Sequence, residues 1–214
     1  PKSVEFKAGQ ASEFKQDINN LIDNLLDIFP AAFEHPSYQQ RKSHIETEFN
    51  RRYDQAIDKV ERAALKKQVA LYRESGSISF TPMVEGKAMD ETQFAQLEDE
   101  PREVFHDAIV ELENMLNDEL IPLPQWKRES TEKLRALNKE TIDQAITPNM
   151  DQLESKYSNS RVLAYLEKMR THLHKTVVEE LIDERILESR EEATKRLILK
   201  DTYSPNLLTE RDAT

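Results

Sequence analysis

The feature that most constrains this chain is its scarcity of glycine, with three glycines among 214 residues. Hydrophobic residues make up 37% and charged residues 33% of the sequence, a balance typical of long helices with solvated faces. Two of the glycines, Gly76 and Gly86, fall within one short segment, SGSISFTPMVEGKAM, from Ser75 to Met89. The chain is therefore predicted to be helical, with one interruption at this segment.

Within that segment apolar residues alternate with other residues, and a turn follows them. Alternation places every second side chain on one face of a strand, and Glu85-Gly86-Lys87 supplies the turn, so a β-hairpin is predicted over 77–89. Such a hairpin has little core of its own, so its apolar face must rest on helices or on something else. The alternating residues are Ile78, Phe80, Pro82 and Val84.

Elsewhere apolar residues recur every three or four positions, which predicts amphipathic helices. The first helix is predicted from about Ser12 to Phe29, with Pro30 ending it. The second is predicted from Ser37 to Glu74, on the order of 55 Å long at roughly 1.5 Å per residue. A rod of this length needs a partner, and we expect the helix that begins at Pro101 to return antiparallel to it. The two apolar stripes are Ile45, Phe49, Tyr53, Ala56, Val60, Ala64 and Leu71, and Val104, Phe105, Ala108, Ile109, Leu112, Met115 and Leu116.

The remaining helices follow the same pattern. Asp90 is expected to cap a short helix through Leu97, and the break at 122–124 allows a bend before a helix that ends at Pro148. A long final helix follows the turn at 158–160, with the stripe Val162, Leu166, Met169, Leu173, Val177 and Leu181. These elements predict a mainly α protein, an elongated antiparallel helical bundle of coiled-coil type with one small β-hairpin near 77–89.

Composition excludes several classes of function. The formal net charge of −11 argues against a surface that neutralises nucleic-acid phosphates or lies on anionic lipid. The absence of cysteine excludes disulfides, thiolate metal sites and thiol nucleophiles. Apolar runs fall far short of the roughly 20 residues that cross a bilayer, so a soluble domain is expected.

Residues that carry chemistry are sparse, and no catalytic, cofactor-binding or metal site is predicted. Gly86-Lys87 suggests a phosphate loop, but the motif needs glycine where Thr81 stands and Ser or Thr where Ala88 stands. His172 and His174 are two positions apart, so on a helix they point about 200° away from each other and cannot share a metal. Serine does not occur in the Gly-x-Ser-x-Gly pattern of a nucleophile elbow.

The candidate contact residues are apolar. Ile78, Phe80 and Met83 of the predicted hairpin are candidates for contact with a substrate or partner, since unfolded chains display apolar segments. Trp126, the only tryptophan, either anchors a partner or plugs the bend between two helices.

Several stretches, in order along the chain, match the motifs of one protein family. Residues 1–10 with Phe14 are similar to its segment P-x-x-L-x-L-P-A-G-x-G-x-x-F, in which Val4, Phe6 and Lys7 replace Leu, Leu and Pro, and Ala11 replaces the second glycine. The later matches are Phe33-Glu34 with 38–41, the glycine-aromatic-proline hairpin with Phe94 and Leu97, Trp126 with 137–140, and 162–166. In this order the stretches resemble the helical region of the bacterial Lon-related ATP-dependent proteases.

The resemblance implies a cytoplasmic parent, an ATP-dependent serine endopeptidase that forms a ring-shaped homo-oligomer. Its AAA+ ATPase module, with ATP and Mg, would precede Pro1, and its Ser-Lys protease module would follow Thr214, so this piece of the protein would carry no catalytic residue. Residues 1–11 would form the junction to the ATPase module, 12–200 the helical domain and 201–214 a loop to the next module.

Two functions remain open. In one hypothesis the domain recognises or guides unfolded or damaged protein substrates toward the ATPase and protease modules. The rival is a purely structural coiled-coil spacer or oligomerisation module. The rival predicts that the apolar face of the hairpin is buried against helices, whereas substrate handling predicts that it is accessible.

Overall fold

The computed structural model describes residues 4–7, 9–74, 76–176 and 199–206. Over these residues the protein is mainly helical with a small antiparallel sheet, which confirms the predicted fold class. The helices are α1 (Gln10–Glu34), α2 (Pro36–Lys66), α3 (Glu91–Ala95), α4 (Asp99–Leu120), α5 (Leu123–Ser155) and α6 (Ser160–Thr176). The strands are β1 (Val69–Glu74), β2 (Ser77–Val84) and β3 (Lys87–Ala88), and residues 199–203 are also helical.

The chain divides into two compact units where the sequence predicted one helical domain over 12–200. The first unit comprises residues 1–42 and 134–214, and the second comprises residues 43–133. Helices α2 and α5 contribute residues to both units. The loop predicted from residue 201 begins later, because residues 201–203 are helical.

The first unit is built around the apolar stripe of α1. The ring of Phe14 packs against Phe6, Tyr157 and Tyr165, with ring centroids 5.4, 5.1 and 5.9 Å away. The stripe predicted for the last helix is buried in this core as far as Leu173, while Val177 and Leu181 lie outside the described residues. The buried residues of this core are Phe14, Ile18, Leu21, Ile22, Leu25, Leu26, Phe29, Ile142, Ile146, Met150, Leu153, Val162, Leu166, Met169, Leu173, Leu199 and Tyr203.

Two prolines predicted to end helices lie inside them. Pro30 is within α1 and Pro148 within α5, and both are exposed. A helix that stopped at either proline would take apolar residues out of the core: Phe33 packs against it, and Met150 and Leu153 are 0% and 5% exposed. Burying a large apolar side chain stabilises by about 1.5–3 kcal/mol, which offsets a proline penalty of about 3 kcal/mol.

Helix α2 ends at Lys66, so the prediction of a helix to Glu74 is wrong. Lys67 and Gln68 form a turn, in which Gln68 takes a left-handed conformation with φ 57°. The following residues form β1, where Val69 is completely buried and pairs with Pro82 of β2. Pairing with β2 thus buries apolar side chains that the sequence assigned to the helix, and the sheet has three strands instead of the two of a hairpin.

In the second unit α2 runs antiparallel to α4, as predicted, and also to the start of α5. Ion pairs join residues that ascend along α2 and into the turn after it to residues that descend along α5 and α4: Arg52 with Glu129, Lys59 with Glu119, and Lys67 with Glu111. The core between them comprises Val60, Ala64, Val69, Ala108 and Leu112, with Ala63, Leu71, Phe80, Phe105, Ile109, Met115 and Leu116 packed against it.

The predicted cap of α3 is confirmed, whereas one residue of the predicted apolar stripe of α4 is exposed. Asp90 caps α3 by accepting a hydrogen bond from the Gln93 backbone N–H, and the Gln93 side chain bonds back to the Asp90 N–H, which confirms the cap. Val104, assigned to the apolar stripe of α4, is 63% exposed. In the described ranges, no helix combines the length and the apolar character that a membrane span requires.

Candidate functional site

The three-stranded sheet is the most distinctive surface of the second unit. Its strands are antiparallel in the order β1-β2-β3. The β2–β3 turn is a two-residue loop, Glu85-Gly86, in which both residues have positive φ, 51° and 77°. Two positive φ values are the mark of a type I′ turn, whose twist matches that of an antiparallel pair. The turn predicted at Glu85-Gly86-Lys87 is thus present.

One face of the sheet, called here the inner face, rests on the helices. Val69, Leu71 and Phe80 belong to the core that α2 and α4 form, and Pro82 is also buried. Because side chains alternate along a strand, Ile78 points to the same side as Phe80. The inner face therefore consists of Val69, Leu71, Arg73, Ile78, Phe80 and Pro82.

A charged contact holds the far end of the inner face. The guanidinium of Arg73 donates to Asp54 at 3.0 Å and lies 3.4 Å from an oxygen of Asp58, both on α2. Arg62 lies four residues after Asp58 on α2, but the Asp58 carboxylate meets this strand residue. Glu48 and Arg52, four residues apart on α2, form an ion pair at 2.8 Å. The sheet is therefore fixed to α2 by apolar packing at one end and by charge at the other.

The opposite face, called here the outer face, is formed by Ala70, Tyr72, Ser79, Thr81 and Met83. Tyr72 is 43% exposed and pairs across the ladder with Ser79. Met83 is half-buried and pairs with Ala88 of β3, which is exposed. The outer face thus carries an aromatic ring and a flexible thioether side chain among small polar residues, and a methionine of this kind adapts to varied apolar partners.

The predicted contact residues lie on different surfaces. Ile78 and Phe80 are on the inner face and are half-buried, whereas Met83 is on the outer face. For Phe80 the arrangement is the one that the structural interpretation anticipated, since its ring packs on the helical core. The sequence did not identify Tyr72 as a surface residue of the sheet, because the helical spacing of α2 continues through it. No other sequence feature marks Tyr72 as part of a strand.

Trp126 lies away from these residues, near the start of α5. It is half-buried and lines a shallow cleft with Ile45 and Phe49 of α2, just after the bend between α4 and α5. The rest of the cleft is Glu48, Arg52, Glu129, Ser130 and Lys133. Trp126 therefore lies beside α2, and its two predicted roles, partner anchor or plug of the bend, stay predictions.

The charges around this cleft satisfy each other. Arg52 donates to Glu129 at 2.7 Å and to Glu48 at 2.8 Å, and Lys133 donates to the other oxygen of Glu48 at 2.7 Å. The hydrogen bond from Arg52 lowers the pKa of Glu129, and the bond from Lys133 lowers the pKa of Glu48. Such a closed network stabilises the helix packing and suits a structural role better than a catalytic one.

Other titratable groups in the described part of the chain do not form an active-site constellation. His172 shares a hydrogen bond of 2.8 Å with the hydroxyl of Tyr203, a buried residue of the first core, so its contact is a packing contact of the first unit. The Tyr157 hydroxyl donates to Asp17 at 2.9 Å, and burial together with this carboxylate raises the pKa of Tyr157. Within the described residues, histidine and carboxylate side chains do not cluster in threes as a metal site would need.

Comparison of the chain with protein-family models, with curated proteins and with solved structures gave no match. The Lon-like interpretation therefore rests on the sequence motifs alone, and the sheet is the candidate site on physical grounds.

Proposed function

We propose that this chain is a non-catalytic helical domain of a Lon-like ATP-dependent serine protease and that it recognises or guides unfolded protein substrates toward the ATPase and protease modules. ATP and Mg would act in the AAA+ module of the parent, a cytoplasmic ring-shaped homo-oligomer, and no residue of this chain would take part in the chemistry. The ordered motifs that resemble the family support the parent. The outer face of the sheet supports the role.

The observation that carries the role is a sheet whose inner face packs on helices and whose outer face includes Tyr72, which is 43% exposed. Packing of Leu71 and Phe80 on the helices and the contact of Arg73 with Asp54 hold the strands in place. Tyr72, which is 43% exposed, and Met83 therefore lie on the outer face of a sheet that the helices support. A displayed aromatic ring contributes a large contact area at little cost in conformational entropy. Contacts of this kind suit brief, sequence-tolerant binding of apolar side chains in an unfolded substrate.

The test is degradation of an unfolded, casein-like substrate by the intact protease with Tyr72→Ser and Met83→Ser. KM should rise roughly threefold to tenfold, the loss expected for about one apolar contact each, while kcat and ATP hydrolysis stay unchanged. The matched control is Val104→Ser, which removes a side chain that is 63% exposed on α4 of the same unit. Unchanged KM in both outer-face variants would refute the role.

The alternative function is a purely structural coiled-coil spacer or oligomerisation module. The packing of Phe80 on the helices favours it, because the inner face then exists only to complete the core. Under this alternative the outer-face variants leave degradation unchanged, whereas Phe80→Ser lowers stability and activity together. Thermal unfolding of the same variants separates the two functions.

A further inference from the structure

The hydrogen-bond phase of the sheet determines which backbone groups of β2 point outward. The Met83 N–H donates to the Gln68 carbonyl at 2.7 Å. In an antiparallel ladder, pairs that exchange hydrogen bonds alternate with pairs that do not. Counting from Gln68 and Met83, the pairs Leu71–Phe80 and Arg73–Ile78 do not exchange bonds. The N–H and C=O groups of Ile78 and Phe80 therefore point away from β1.

The position of Pro82 agrees with this phase. Pro82 pairs with Val69 and also belongs to the set that does not bond to β1, so its lack of an N–H costs the β1–β2 ladder nothing. Its carbonyl points to the other side and accepts a hydrogen bond from the Met89 N–H at 2.8 Å. At the Pro82 end, the edge of β2 that faces away from β1 is therefore already paired with β3 and Met89.

That neighbouring strand stops short. β3 pairs only through Met83–Ala88 and Val84–Lys87. Beyond Met89 the chain turns into α3, because Asp90 forms a capping box with Gln93. Within the described residues, no strand lies beside β2 from Ser77 to Thr81, and the main-chain groups of Ile78 and Phe80 have no protein hydrogen-bond partner there.

The other edge of the sheet is better covered. Helix α4 packs against β1, and Val69 at the start of β1 is completely buried. Arg73 is the last residue of β1 whose backbone N–H and C=O point away from β2, and its side chain pairs with Asp54 and Asp58 of α2. The edge of β2 is therefore the more accessible template for another strand.

Resting on the proposed function, we propose that an extended segment of an unfolded substrate binds beside β2 as an added strand, in line with β3. About four main-chain hydrogen bonds would form with the N–H and C=O groups of Ile78 and Phe80, as in other cases of β-strand addition. Main-chain recognition is independent of sequence, which is what a domain handling many substrates requires. It also selects extended chain over helices and folded surfaces. Side chains of the added strand would alternate between Ile78 and Phe80 on one side and Ser79 and Thr81 on the other.

The test measures binding of a fluorescent peptide of alternating Val and Thr, flanked by lysines, to the whole 214-residue chain. Ile78→Pro removes one outward N–H and sets a ring against the added strand, while Ile78→Ala removes the side chain and keeps the N–H. Ile78→Pro should weaken binding roughly tenfold relative to Ile78→Ala, about the effect of one lost hydrogen bond plus a steric clash. A peptide with the same side chains but N-methylated at alternate amides should likewise bind at least roughly tenfold more weakly.

Amide hydrogen exchange of the unsubstituted protein keeps the proposal testable if Ile78→Pro fails to fold. The peptide should slow exchange at Ile78 and Phe80, with little change at Ser79 and Thr81, whose amides already lie in the β1–β2 ladder. Protection of Ile78 and Phe80 that rises with protein concentration in the absence of peptide would identify a second copy of this chain as the occupant and overturn the proposal.

The remaining outcomes separate the inference from the proposed function. Peptide binding that tolerates N-methylation and Ile78→Pro but is lost in Tyr72→Ser would overturn strand addition and leave substrate recognition by the outer face intact. An absence of peptide binding and of amide protection would overturn both.

Discussion

Arg73 on β1 and Asp54 on α2 lie nineteen positions apart in the chain, and a guanidinium N–H of Arg73 donates to the Asp54 carboxylate at 3.0 Å. This contact closes the loop in which the chain leaves α2, reverses at Gln68 and returns along the helix as β1. The contact places β1 against α2. From the sequence alone, Asp54 would be a solvent-exposed charge on the surface of that helix. The orientation of the sheet, and with it the identity of the outer face, depends on such contacts.

Removing the charged contact should loosen the sheet more than it destabilises the protein. Both side chains are well exposed, 42% for Arg73 and 57% for Asp54, so Arg73→Ala should cost about 0.2–1 kcal/mol in the free energy of unfolding. Urea unfolding measures that cost, and hydrogen exchange should be faster in β1 and β2. Arg51→Ala is the control, since Arg51 lies on α2 and its guanidinium donates within that helix, to Gln55. Equal exchange rates in the two variants would contradict the anchoring role of Arg73.

The two faces of β2 should respond differently to truncation. Phe80→Ala removes a ring that packs on the helical core and should cost about 2–3 kcal/mol, below the 3–5 kcal/mol of a fully buried ring because Phe80 is only half-buried. Met83→Ala removes a side chain from the outer face and should cost less than about 1 kcal/mol. Chemical denaturation of the two variants compares them directly. A larger cost for Met83 would mean that the faces are reversed.

The contrast between Phe80 and Met83 also marks what the sequence could predict. The three- and four-residue spacing predicted the helices and most of their buried residues, because amphipathic periodicity survives whatever the tertiary partner is. The turn at Glu85-Gly86 was equally readable, since few residues tolerate positive φ. Strand β1 was not, because Val69-Ala70-Leu71 continues the helical spacing of α2 and only pairing with β2 favours the strand.

The sheet faces and the helix ends escaped prediction for a related reason. Which side of β2 meets the helices depends on where α2 ends. When the predicted end of α2 is several residues too late, Tyr72 is assigned to the helix and not to the sheet. Proline disfavours a helix locally, so the sequence alone predicts helix ends at Pro30 and Pro148. The apolar residues beyond each proline instead continue the helix through long-range burial. Local preference and tertiary packing conflict at these positions, and packing prevails.

Relieving that conflict should stabilise the protein. Pro148→Ala restores an N–H that can bond the Gln144 carbonyl one turn earlier and should raise the free energy of unfolding by about 1–3 kcal/mol, with part of the gain offset by a more flexible unfolded chain. Thermal unfolding would register it as a higher Tm. Pro36→Ala, at the first position of α2, is the matched control and should change stability by less than about 0.5 kcal/mol, because a first-turn proline removes no helix hydrogen bond. A Tm for Pro148→Ala at or below that of the control would contradict the expectation.

The turn before β3 gives a prediction about backbone conformation. Gly86 has φ 77°, and a Cβ added there meets open space, so only the conformation penalises a side chain. Gly86→Ala should therefore destabilise by about 1 kcal/mol, and Gly86→Asn by less, since asparagine tolerates positive φ. Urea unfolding ranks the variants. A cost for alanine no greater than that for asparagine would argue against the type I′ turn.

The network of Arg52, Glu48, Glu129 and Lys133 should make stability depend on pH in the acid range. The hydrogen bond from Arg52 lowers the folded-state pKa of Glu129 below its ordinary value of 4.5, so folding favours the ionised carboxylate. The contribution of Glu129 is therefore complete above that ordinary value and is lost as pH falls through the lower folded-state pKa. Glu129→Gln should lower Tm at neutral pH, and the difference from the unsubstituted protein should shrink steadily below about pH 4.5. Melting curves from neutral to strongly acid pH measure it, with Glu113→Gln, an exposed position on α4, as the control. A Tm difference for Glu129→Gln that stays constant across this range would mean that the charge on Glu129 contributes nothing to folding.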